Sequence, residues 1–333
     1  MNFYQRDFLT LLDYNKEEIE ALIDLGIKFK KLKNSNVSHK LLKGKNIALI
    51  FEQDSIETRC AFEVALRDLG MGVTFLSSLD IQMSKRENIS DIVRSLSLMY
   101  DGIGYFGGLQ DKLEELVNCS SVPVYNGMTD KFYPLQMLVD FMTIKEYYGN
   151  FKNKKIVYCG NGNSNVCSSL MIICSKLGVD FICCSPKELW PNDELFNKCS
   201  GFAEDNKSKI IFEEDIMRAT FMADVVYTDA WVSLCESENI WEERIKLLSP
   251  YQINKKIMEN AKNKAIFLHP LPAFHNKTSQ IGKDIYEKYG VMEMEVTSEV
   301  FESSQSKVFE QAENRLHATK AVICASLYKG VIK

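Results

Sequence analysis

Apolar positions along the chain fall into two kinds of run that alternate over most of its length. Short apolar runs of strand length recur at 46–51, 73–77, 102–106 and 122–128, then at 154–160, 180–185, 209–212, 224–229 and 265–270. Between them lie longer segments with helical spacing of apolar residues, at 17–33, 58–69, 86–98, 134–148, 164–176 and 192–205. The first kind fits buried strands and the second amphipathic helices. Strands separated by helices of this length predict α/β architecture, with parallel, doubly wound sheets. The long helix at 134–148 runs into the polar stretch YGNFKNKK (148–155), after which the alternation starts afresh with no internal repeat. Two domains are therefore expected, over 1–148 and 149–311. Ligands of open parallel sheets sit beyond the carboxyl ends of strands, so the chemistry is expected just after 51, 106, 126, 160, 229 and 270.

Composition narrows the function classes. At 333 residues, 46% hydrophobic and 26% charged, the chain has material for two medium cores. The net charge is −5 and no basic run is interleaved with aromatics, which argues against nucleic acid as a partner. No segment approaches the ~18 apolar residues of a membrane span, and the N-terminus has no basic head before an apolar stretch, so a cytoplasmic protein without a membrane partner is expected. The ten cysteines lie mostly inside apolar runs and read as reduced, buried thiols. With four histidines and no Cys-x-x-Cys, neither a metal nor another cofactor is expected. His275 and His317 read as ordinary polar surface residues or as supports for site residues. KKIVYCGNGNSNVCSSLM does contain Gly160-x-Gly162 between a strand and a helix, with Asp180 further on. The third small position of a dinucleotide fingerprint is Asn165, so a nicotinamide enzyme is disfavoured.

The strand ends carry a set of ordered motifs: FEQDSIETRCAFEVA, MYDGIGYFGG, VYNGMTDKFYPLQMLVDFMT, TDAWVSLCE, LLSPYQIN, FLHPLPAFHN, MEVTSEVFES and FEQAENRLHATKAV. In order and spacing, across essentially the whole chain, they resemble the ornithine carbamoyltransferase family. The resemblance implies a carbamoyl-phosphate domain followed by an ornithine domain, with a helix at about 312–331 returning to the first. It also implies a homotrimer with active sites between subunits. LDIQMSKRENIS (79–90) resembles the loop that reaches into a neighbouring site, where Lys85 and Arg86 supply positive charge.

That family holds carbamoyl phosphate with a Ser-Thr-Arg-Thr-Arg loop at a helix start, an arginine near the end of the next strand and a His-Pro-x-Gln motif. A phosphate dianion is matched there by N–H groups, hydroxyls and guanidinium forks, while donors polarise the carbonyl oxygen. Ser55, Thr58, Arg59, Gln136 and Arg315 stand at matching positions, Gln136 and Arg315 as catalytic groups. Ile56 and Glu57 replace a threonine and an arginine, Phe106 the second arginine and Tyr133 the histidine. Arg59 either contacts the ligand or holds the loop through an ion pair. Glu57 either faces solvent, pairs with Arg59 or Arg315, or belongs to an altered cradle. Lost attraction of roughly 3–4 kcal/mol per charge pair at an effective dielectric near 20 predicts poor phosphate binding.

The amino-acid half departs less from the pattern. Asn165, Asp229 and Ser233 match the ligands of the α-carboxylate and α-amino groups, with Leu234 for a methionine. Asp229 at a strand end suits an ammonium, whereas Asn165 either binds the carboxylate or caps its helix. His269, read as catalytic, and Leu271 survive from a His-Cys-Leu-Pro motif in which Pro270 replaces the cysteine. An ornithine-like amino acid is the expected small-molecule partner. Three functions follow: an altered donor or reaction on this scaffold, which the substitutions favour; a non-catalytic binding or regulatory relative; and a working ornithine carbamoyltransferase.

Overall fold

A computed structural model describes residues 1–77, 80, 88–233 and 236–332. The chain divides into two compact units, one formed by Met1–Met142 with Glu313–Lys333 and the other by Thr143–Ala312. The helices Pro134–Tyr148 and Val308–Leu327 carry the chain from one unit into the other. Lys85, Arg86 and Leu234, named from the sequence, lie outside the described residues.

In the first unit, β1 (Asn46–Phe51), β2 (Gly72–Leu76), β3 (Gly102–Gly108) and β4 (Val124–Thr129) form a parallel sheet in the order β2-β1-β3-β4. Every residue of β3 and β4 is buried, as in a sheet covered on both faces, while the edge strand β2 is only half-buried. The helix Ile56–Leu69 follows β1 and buries Thr58, Phe62, Ala65, Leu66 and Leu69, a single stripe at helical spacing. Burying each large apolar side chain of that stripe contributes about 1.5–3 kcal/mol. The helix starts at Ser55, whose Oγ accepts from the Thr58 N–H at 3.3 Å, and stops at Gly70, where φ is +85°. The helix Gln110–Cys119 has no counterpart in the sequence reading, because its buried residues are only Gln110, Leu113 and Leu116.

The second unit holds β5 (Lys155–Cys159), β6 (Asp180–Cys184), β7 (Ile210–Glu213), β8 (Val225–Tyr227) and β9 (Ile266–Leu268), all parallel, in the order β7-β6-β5-β8-β9. The helix Asn165–Leu177 is buried almost all round, which explains why its thiols are inaccessible. Seven of the described cysteines are buried and none is in a disulfide. Beyond β7 run the helices Ile216–Thr220, Trp241–Leu248, Lys255–Asn260, Gln280–Tyr289 and Ser298–Phe301, each of ten residues or fewer and so offering few turns for sequence periodicity to show.

His317 is 1% exposed, which removes the surface alternative for that residue, while the half-buried His275 stacks on Phe301 with centroids 3.9 Å apart. Among the described residues no helix is long and apolar enough to cross a membrane, and no cluster of three metal-ligating side chains occurs. In each sheet the strand order reverses about its first strand, between β1 and β3 and between β5 and β8. Those are the crevices where open α/β sheets bind ligands.

Candidate functional site

At the first crevice Thr58, Gln136 and Arg315 come together. Arg315 is buried; it donates from Nη2 to Gln136 Oε1 at 3.0 Å and from Nη1 to Thr58 Oγ1 at 3.4 Å. Gln136 in turn donates from Nε2 to Asp140 Oδ1 at 2.7 Å, one helical turn on. That bond fixes the amide so that its oxygen faces the guanidinium. Asp140 is no candidate in the sequence analysis, although the Gln136-x-x-x-Asp140 spacing is its local signal. Ser55 serves as the helix cap described above.

The substituted positions behave differently from one another. Glu57 is exposed and pairs with neither Arg59 nor Arg315; among the described residues it has no ion-pair partner. Arg59 is engaged along its own helix and with β2: Nε meets Glu63 Oε1, one turn on, at 2.8 Å and the guanidinium lies 3.6 Å from the centroid of the Phe75 ring. Phe106 is buried at the end of β3 and stacks on Phe51. The register of β3 against β4 slips on both sides of Phe106, and Gly107 follows at φ +86°, where a Cβ would lie 2.6 Å from that of Gln53. Tyr133 is buried just before the helix Pro134–Tyr148. Beside them Glu52 accepts from Tyr105 Oη at 2.7 Å and from Lys112 Nζ at 2.9 Å.

At the second crevice the turn after β5 is tight. A Cβ on Gly162 would stand 2.6 Å from the Leu189 carbonyl oxygen. Ser164 caps the following helix, its Oγ accepting from the Cys167 N–H at 3.1 Å. Asn165 is therefore the first helical residue rather than the cap, and it is buried. Asp229, just past β8, is 7% exposed and accepts a hydrogen bond from Tyr158 Oη. Burial pushes the Asp229 carboxyl up to about 7, hydrogen bonds from Tyr158 and Ser164 oppose the rise, and Glu295 and Glu236 add to it. A cation at this site would restore the ionised form. Ser233 donates from its N–H to Glu236 Oε2 at 2.9 Å, and Glu236 Oε1 pairs with Arg244 at 2.6 Å.

His269 is 1% exposed and both ring nitrogens are engaged. Nδ1 accepts from the Leu271 N–H at 2.9 Å, so Nε2 carries the proton that faces Glu295 Oε1 at 3.2 Å. Glu295 Oε1 also accepts from the Phe274 N–H at 2.6 Å, and the His269 N–H donates to Gln311 Oε1 at 3.0 Å. The ring thus organises the turn carrying Pro270 and Leu271. Leu271 sits at φ +53°, a left-handed conformation costing on the order of 1 kcal/mol, held by its bond to His269. Tyr158, Ser164 and Glu295 escaped the sequence reading; their signal is spatial, as the 71 residues separating Tyr158 from Asp229 show.

Two family models match the chain: the carbamoyl-P binding domain of aspartate/ornithine carbamoyltransferase over residues 6–146, and its Asp/Orn binding domain over residues 152–326. A catabolic ornithine carbamoyltransferase of Treponema denticola is 49% identical over 326 residues, covering 98% of this chain and 96% of the relative. An ornithine carbamoyltransferase of Staphylococcus aureus strain Newman is 47% identical over 328 residues, covering 98% of each. Among solved structures, ornithine carbamoyltransferase from Pyrococcus furiosus superposes with a TM-score of 0.89 at 36% identity, covering 100% of both chains. The anabolic enzyme of Campylobacter jejuni gives 0.84 at 34% identity, covering 96% of this chain and 98% of the other. Nothing in these likenesses supports the altered donor or reaction that the substitutions favour, or the non-catalytic alternative. The chain belongs to the aspartate/ornithine carbamoyltransferase family.

Proposed function

We propose that the chain is an ornithine carbamoyltransferase, moving the carbamoyl group of carbamoyl phosphate to the side-chain amine of L-ornithine to give citrulline and phosphate. The observation that carries this reading is the near-full-length likeness to relatives of that name at 47–49% identity. The buried Arg315–Gln136–Thr58 constellation supports it: a guanidinium held by two oxygens is a fixed cation for an anionic donor and for charge developing on its carbonyl oxygen. Residues 1–148 are assigned to the donor and 149–311 to the amino acid. Asp229 is assigned to the ammonium, with Asn165 and Ser233 beside it, and a homotrimer is the expected assembly. His269 is assigned a positioning role, because neither ring nitrogen is open to a substrate.

A second reading, a donor without a phosphate dianion, is favoured by one specific observation. Where the resemblance places phosphate ligands, the chain has the exposed carboxylate of Glu57 and the buried rings of Phe106 and Tyr133. Citrulline formation by the purified protein from carbamoyl phosphate and L-ornithine separates the two. Turnover within tenfold of the ~10 s⁻¹ typical of enzymes supports the first reading. Absence of turnover together with a retained thermal shift by millimolar ornithine supports the second. Absence of both overturns the two readings together.

A further inference from the structure

Tyr158 occupies the last-but-one position of β5 and is fully buried. Its hydroxyl reaches three oxygens: Asp229 Oδ1, the Asn161 carbonyl at 3.0 Å and Ser164 Oγ at 3.1 Å. A phenol has one hydrogen, so it cannot serve Asp229 and Asn161 at once. With Asp229 ionised, the hydrogen belongs to the carboxylate. When Asp229 takes up a proton, the acid donates to the phenol oxygen and the phenol hydrogen turns to the Asn161 carbonyl. The phenol therefore links the charge state of Asp229 to the 161–164 turn, which opens the helix bearing Asn165.

We propose that Tyr158 is a positioning residue of the amino-acid site, holding Asp229 ionised for the substrate ammonium and tying it to the turn that presents Asn165. The inference rests on the reading above, in which Asp229 and Asn165 receive the amino acid. The groups facing Asp229 are Tyr158 on β5, Ser164 and Cys167 at the start of the following helix, Glu236 after β8 and Glu295. None of them is a cation. Two carboxylates and burial oppose the charge on Asp229, and the hydroxyls of Tyr158 and Ser164 favour it. Among these described groups, the component missing is the one that a substrate ammonium brings. Because Asp229 titrates at about 7, substrate binding near that pH releases about half a proton.

The binding form is the carboxylate, so affinity falls in acid. Losing the Tyr158 hydroxyl removes a contact that lowers the Asp229 pKa, and the acid limb moves to higher pH. The test is calorimetric titration of the full chain with L-ornithine from about pH 6.5 to 9.5, comparing wild type with Tyr158→Phe, which keeps the ring. The substrate's own titration is common to both proteins and cancels in the ratio of their dissociation constants. The expected ratio is about tenfold at pH 7 and under about threefold at pH 9. Site-specific 3-fluorotyrosine at 158, a stronger donor of the same shape, moves the limb the other way and decides the matter if Tyr158→Phe does not fold. A ratio independent of pH, or a fluorotyrosine limb that does not move, overturns the proposal while ornithine binding stands. Wild type that binds no ornithine at any pH overturns the functional reading and this inference with it.

Discussion

Phe106 stacks on Phe51 at the ends of adjacent strands, ring centroids 4.9 Å apart and planes inclined by 25°. Phe51 in turn meets Phe75 at 5.1 Å, and the Arg59 guanidinium covers the outer ring of that row. An aromatic ladder thus runs along the ends of three strands, at the position where the family resemblance implies a guanidinium. Aromatic pairs of this geometry contribute about 0.5–1.5 kcal/mol beyond the area they bury.

The ladder gives a first prediction. Truncating Phe106 to alanine removes a buried ring and leaves a cavity beside Phe51, at a cost of about 3–5 kcal/mol. Urea denaturation should show the midpoint falling with little change in slope. A loss below about 1 kcal/mol would mean that Phe106 is a loosely held lining residue of the crevice.

The Gln136 amide supplies a second. Asp140 is 0% exposed and fixes which end of that amide faces Arg315. Asp140→Ala should cost about 1–3 kcal/mol of stability by leaving a buried donor without its acceptor. It should also lower kcat/KM for carbamoyl phosphate by about 10- to 100-fold while ornithine affinity in the absence of donor stays unchanged. Loss of ornithine affinity instead would show that the effect spreads beyond the donor residues.

What the sequence revealed and what it withheld divide along physical lines. The strands were legible because their residues are apolar on both faces, as IVYC of β5 and FICC of β6 are. Asp229 and Asn165 were legible because they stand at strand ends, where parallel sheets expose backbone and side chains to a ligand. Tyr158 looked like one more core aromatic of β5, since its partner is distant in sequence. Glu295 pairs with His269 across 26 residues, a contact that no local pattern records. The charge of Glu57 is legible from its residue type, but its exposure is not, because no local pattern separates a helix-start carboxylate that faces water from one that faces a ligand.

A third prediction concerns acid. His317 is buried, and burial together with Lys320, Lys30 and Lys33 holds its pKa down to about 3. The unfolded chain takes up its proton near 6.5, so between about pH 6.5 and 3 the unfolded state binds more protons than the native one. The resulting stability is fully present above pH 6.5 and is lost as the pH falls, by up to about 5 kcal/mol. His317→Gln should flatten this limb in melting curves from pH 7 to 4. If wild type and variant lose stability in parallel, His317 charges freely in the fold and the burial argument fails.

The last prediction concerns Asp229 and sets function against stability. Its folded pKa, about 7, lies above the unfolded value, so the native state holds a proton more tightly between about pH 4 and 7. Stability from that proton is fully present below pH 4 and is lost as the pH rises through 7. Above that the fold carries a buried carboxylate near Glu236 and Glu295. Asp229→Asn keeps the shape and an oxygen to accept from Tyr158, but removes the charge. It should therefore melt higher than wild type at pH 8, by up to about 4 kcal/mol of stability, and the gain should shrink towards pH 5. The same variant should lose the thermal shift given by millimolar L-ornithine, because its ammonium no longer meets a carboxylate. A site strained against its own fold in the empty state is the cost of keeping an anion ready for a cation. Equal melting temperatures at pH 8 would show that Asp229 is already ionised and well solvated, and would remove the basis for the proton release expected on substrate binding.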